Sequence, residues 1–120
     1  MNKFILIISA ILFASCKNET NSNVANAAEK ELFGKELFEG KGNCIACHQP
    51  EQKIIGPSIQ EIATIYKDKK ASIALFLQEK SEPIVDPSQY EIMKTNFSIT
   101  KSMSDEELKA LEKYMIGFSK

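Results

Sequence analysis

Cys44-Ile45-Ala46-Cys47-His48 places two thiols three residues apart, with an imidazole directly after the second. Thiols at that spacing reach the two vinyl groups of a porphyrin and add to them as thioethers, and the adjoining imidazole is then held beneath the iron. Three other uses of the same residues compete with this c-type haem attachment pattern. A dithiol–disulfide pair of the thioredoxin kind asks for a βαβ setting, and no run of the chain alternates with period two. A closed zinc site asks for four nitrogen or sulfur ligands, whereas Cys44, Cys47 and His48 supply three. A local disulfide staple suits an exported protein but leaves His48 without a role.

His48 is the only histidine, so two-histidine ligation within one chain is excluded. Methionine, lysine, an open position or a rarer donor remains for the second axial place. Met115 falls on the apolar stripe of the last helix, and Met103 stands just before Ser104, where an apolar residue staples a helix end. Met93 instead closes a short helical segment and is followed by the polar run Lys94-Thr95-Asn96, expected as a loop crossing the other haem face. Met93 is therefore the expected sixth ligand. A thioether stabilises ferrous over ferric iron and raises the reduction potential.

These residues need elements to position them, and the apolar spacing supplies helices. Leu32, Phe33, Leu37 and Phe38 mark a first helix over residues 29–40, ended by Gly40, Gly42 and Asn43. Ser58 as N-cap, with Ile59, Ile62, Ala63 and Tyr66 on one side, marks a second over 58–66. Residues 70–80 read as a third through Ile73, Phe76 and Leu77, and Asp86-Pro87 offers cap and first residue for a short fourth leading to Met93. Ser104-Asp105-Glu106-Glu107 is a capping box opening a last helix with Leu108, Leu111, Met115 and Phe118 at intervals of three and four. The fold class is all-α, and the last helix should pack on the first.

Residues 29–120 resemble the class I cytochrome c family well beyond the cysteine motif. Gly34 and Phe38 match the family's Gly-x-x-x-aromatic helix, in which the glycine admits the C-terminal helix, with Phe38 and Tyr114 as contact partners. Ile55-Gly56-Pro57 is similar to the family's Gly-Pro loop, which implies that the Pro57 carbonyl accepts a hydrogen bond from His48. Asp86-Pro87-Ser88-Gln89-Tyr90-Glu91-Ile92-Met93 resembles the approach to the distal methionine, and residues 104–114 resemble the closing helix. The chain departs in having Lys94 where many members have proline, and in having neither tryptophan nor arginine to hold the propionates. The resemblance implies a cytochrome c fold of four to five short helices around one covalently attached haem c.

The first residues have a separate character. Lys3 precedes an apolar run over residues 4–14 broken only by Ser9, and Ser15-Cys16 closes it, which is the make-up of an export signal. A transmembrane helix needs about 20 apolar residues, more than this run has. Leu12-Phe13-Ala14-Ser15-Cys16 resembles a bacterial lipobox, with Phe13 where leucine is usual, which implies lipidation of Cys16 as an anchor. Residues 1–16 are thus expected as a lipoprotein signal peptide and 17–28, polar and without apolar period, as a flexible tether. Removing Lys3 leaves 14 lysines against 16 acidic residues, a net charge of −2. With no arginine and no dense basic run, nothing points to nucleic acid.

An iron held by two thioethers and two axial ligands offers a substrate no coordination position. The expected role is a one-electron carrier and not an enzyme, working with redox-partner proteins as a monomeric domain, anchored by lipid in the periplasm or on the outer face of a bacterial membrane. The alternatives are a haem sensor or peroxidase-like enzyme with an open distal site, and an electron-entry subunit docked on a larger oxidoreductase.

Overall fold

The computed structural model describes residues 19–120, with side chains from residue 23 onward. The expected leader and Cys16 lie outside the described residues. Among the described residues there is no strand, only an isolated bridge between His48 and Lys53. The α-helices are α1 (Glu19–Glu39), α2 (Ile59–Asp68), α3 (Ile73–Leu77), α4 (Tyr90–Met93), α5 (Phe97–Thr100) and α6 (Asp105–Ile116). Three 3-10 turns, Cys44–Ala46, Pro87–Gln89 and Lys94–Asn96, fill gaps between them. The all-α expectation therefore holds.

Helix α1 begins ten residues earlier than its apolar spacing predicts, so the stretch expected as an irregular tether is helical from Glu19. Every residue from 23 to 32 is exposed, hence tertiary burial does not hold this end. The packed part downstream meets the nucleation cost, after which each added residue needs only one more hydrogen bond. Leu32 also departs from expectation, being 57% exposed. At about 100° per residue it lies outside the arc occupied by Phe33, Leu37 and Phe38.

Helices α1 and α6 pack together through Gly34. A Cβ there would collide with the Ala110 carbonyl oxygen and come 2.6 Å from Tyr114 Cβ, so only glycine allows this approach. The rings of Phe38 and Tyr114 meet beside it with centroids 5.6 Å apart. The capping box of α6 is complete, with Ser104 Oγ accepting from Glu107 N at 3.2 Å and Glu107 Oε2 accepting from Ser104 N at 2.8 Å. Leu108, Leu111 and Met115 point into the core with Leu37, Phe38, Ile59 and Tyr66.

Helix α3 is shorter than the predicted 70–80. Lys70 (φ 51°) and Glu79 (φ 55°) adopt left-handed conformations on either side of it, which break the helix without any glycine to signal it. Its first turn is held by Ser72 Oγ, which accepts from Leu75 N at 3.2 Å, and by Glu112 of α6, whose carboxylate accepts from Ile73 N at 2.6 Å. Residues 94–96, expected as an open loop, form a 3-10 turn that joins α4 to α5. The Asp86 side chain makes no capping bond to the backbone of the turn it precedes and accepts instead from Ser88 Oγ at 2.5 Å.

Candidate functional site

The end of α1 delivers the chain into the cysteine motif. Gly42 N donates to Leu37 O at 2.7 Å, and Asn43 turns left-handed at φ 50° to start the 3-10 turn Cys44–Ala46. That turn bonds Cys47 N and His48 N back to Cys44 O at 3.1 and 2.9 Å, bringing both thiols and the imidazole together. Neither Cys44 nor Cys47 is in a disulfide, which removes the staple reading. Cys44 is buried, its Sγ 3.6 Å from Gly42 O, and burial pushes its thiol up to about 11, so it stays protonated as a neutral group of the cavity wall. Cys47 is only half-buried.

The loop after His48 folds back over the motif. Gly56 N donates to Cys47 O at 2.8 Å, and Ile59 N donates to Gln49 O at 2.9 Å at the start of α2. This carries the Pro57 carbonyl oxygen to 2.8 Å from His48 Nδ1. A carbonyl only accepts, so Nδ1 bears the proton, and Nε2 is left with the lone pair that a metal needs. Burial lowers the His48 pKa below its usual value, opposed by the bond to Pro57; the neutral ring is the ligating form.

These groups open on a cavity of about 200 Å³. Cys44, Cys47, His48, Gly56 and Pro57 line it from the motif and its loop, Ile62 and Tyr66 from α2, and Ile73, Phe76 and Leu77 from α3. Residues of the 83–96 segment, Met93 and Asn96 among them, contribute further wall, as does Met115 of α6. Met103 is not part of the lining; it is buried in the core, its Cε 3.3 Å from where a Gly42 Cβ would stand. Burial, and after it the Glu112 carboxylate, pushes the Tyr66 phenol up to about 12, so that this wall too is uncharged.

The donor set and the cavity fit a covalently held haem. Two unpaired thiols, an imidazole with its Nδ1 tied back and a thioether all border one largely apolar space, and Gly56 keeps a side chain out of the position beside the His48 ring. Among the described residues no group of three or more His, Cys, Asp or Glu converges as a bare metal site, and no helix is long and apolar enough to cross a membrane. Sequence reasoning put Asn96 in the loop over the haem face without giving it a partner, and it passed over the aromatic wall of Tyr66, Phe76 and Tyr90. Their roles depend on which segments meet, and no local spacing records that.

The sequence profile of the family described as cytochrome c matches residues 32–117. Cytochrome c-552 of Nitrosomonas europaea is 59% identical over 29 residues, which cover 24% of this chain and 28% of that protein. Cytochrome c2 of Rubrivivax gelatinosus is 47% identical over 38 residues, 32% of this chain and 45% of its own. Cytochrome c-551 of Pseudomonas denitrificans is 42% identical over 33 residues, 28% of this chain and 39% of its own. The matched stretches thus span less than half the length of each relative.

Proposed function

The chain belongs to the cytochrome c family, and from that premise we propose that it is a one-electron carrier whose covalently attached haem is ligated by His48 and Met93. The observation that carries the reading is the His48 Nδ1–Pro57 bond at a cavity that Cys44, Cys47 and Met93 also line. When bound, the haem supplies a reversible one-electron couple. The chain's own residues do the rest: Cys44 and Cys47 fix the group, Pro57 orients the imidazole, and the walls of α2 and α3 exclude water. A largely apolar enclosure keeps solvent reorganisation small as the charge changes, which suits transfer between redox-partner proteins better than bond-making catalysis.

Ultraviolet to near-infrared spectra of the haem-loaded protein test this. The ferric wild type should be low-spin with a weak sulfur-to-iron band at the red edge, and Met93→Ala should lose that band and bind carbon monoxide when reduced. A band that survives in Met93→Ala assigns the ligand elsewhere, and a high-spin wild type favours a sensor or enzyme.

The same proposal places the protein outside the cytoplasm, in the periplasm or on the outer face of a bacterial membrane, as a monomeric domain anchored through a lipid on Cys16. It is supported by the leader pattern of residues 1–16. Cys16→Ser should shift the haem-loaded protein from the membrane fraction to the soluble one; retention in the membrane after leader removal would refute the anchor.

A further inference from the structure

No residue from 86 to 96 is buried, although Met93 lies among them. The stretch consists of the turn Pro87–Gln89, α4 and the turn Lys94–Asn96, each of three or four residues and too short to stand alone. Ring contacts hold its middle, Tyr90 lying 6.2 Å from Phe76 and 6.0 Å from Phe97. Its two ends are fastened by polar groups to the segment that carries His48. At one end the Asn96 amide donates to the Gly42 carbonyl at 3.0 Å, across 54 residues of chain. Gly42 is a fixed post: its N–H is bonded to the end of α1, and an added Cβ would stand 2.7 Å from Leu37 O and 3.1 Å from Cys44 Sγ. At the other end Lys53 Nζ pairs with Asp86 Oδ2 at 3.5 Å, and Lys53 is the residue bridged to His48.

We propose that Asn96 and the Lys53–Asp86 pair are two latches of different character that hold the Met93 strap shut over the cavity and set how readily an outside ligand displaces the methionine. The inference rests on Met93 as distal ligand. The Asn96 latch is neutral and partly buried, so salt leaves it alone. The second is an ion pair with Lys53 59% exposed, which salt screens. Displacement is a ligand exchange in which an incoming nitrogen replaces the sulfur and no electron moves.

The test uses full-length, haem-loaded ferric protein and two readouts: the rate at which added imidazole binds, and hydrogen–deuterium exchange of amides 87–97. Loss of one net hydrogen bond corresponds to about two- to tenfold, so Asn96→Ala should raise the imidazole rate by that factor at every salt concentration, and speed exchange over 87–97 but not in α6. Lys53→Gln should give a smaller rise at low salt that vanishes at high salt. Asn96→Ser serves should the alanine variant fail to fold. Unchanged rate and exchange in the Asn96 variants would overturn the proposal, as would a Lys53→Gln effect that is absent or indifferent to salt. A wild type without the sulfur-to-iron band would instead remove Met93 as ligand, and the exchange readout would still decide whether the strap is latched.

Discussion

An alanine at position 56 would place its Cβ 2.5 Å from His48 Cε1 and 2.9 Å from Nδ1, inside contact distance of a ring that has little freedom to yield. Either the imidazole turns or the loop backs away, and both motions lengthen the 2.8 Å bond from Nδ1 to Pro57. Overpacking of this kind costs about 1–3 kcal/mol, so Gly56→Ala should lower the stability of the haem-loaded protein by that amount in denaturant titrations and shift its reduction potential. Full stability with an unmoved potential would mean that the ring has room that the contacts deny it. At this scale the sequence was informative wherever chemistry is local: two thiols and an imidazole within five residues need no fold to be recognised. It put Asn96 in the loop over the haem face but was silent on its bond, whose partner lies 54 positions away and is a backbone oxygen that any residue possesses.

Among the elements, α6 was the most legible, because a capping box and an apolar stripe are both written within a few neighbouring residues. Its Glu107 does two things, accepting from Ser104 N at 2.8 Å and from Lys41 Nζ at 2.6 Å, and so fastens α6 to the exit of α1. The Lys41 bond, and then the Ser104 N–H, hold the Glu107 carboxyl below its ordinary value of 4.5. A carboxyl whose pKa is depressed by folding stabilises the fold above its ordinary value, and that help is lost as pH falls through the lowered one. Glu107→Gln should therefore melt below wild type at neutral pH, with the two curves converging in acid; a gap that stays constant across the pH range would assign the loss to packing instead. The limits of α3 and the division of residues 87–100 into short pieces were not legible. Left-handed Lys70 and Glu79 stop α3 without a glycine, and the carboxylate that caps it comes from Glu112 on another helix.

For the molecule as a whole, the cavity lies in the middle of what would otherwise be core. Ile73 and Leu77 are buried yet line it, and Phe76, Ile84 and Val85 pack against the core while bordering the same space. A domain of this size buries limited apolar surface on its own, so the prosthetic group completes the hydrophobic interior as well as the chemistry. Apolar spacing could announce an all-α domain but not this arrangement, since an apolar side chain reads the same whether it meets another side chain or a porphyrin. The exposed stretch of α1 over residues 23–32 bears on the molecule in a different way. Because residues 19–39 form one continuous helix packed through Gly34, Leu37 and Phe38, the part beyond the core behaves as the shaft of a key. Each residue removed between 24 and 28 would rotate the helix start at Glu19 by about 100° about the shaft, and four removed together would leave it about 40° from its starting bearing. Spacer length would then set the bearing of Glu19 relative to the cavity mouth, in steps that repeat with the helical turn, whereas a slack cord of the same composition would alter reach alone.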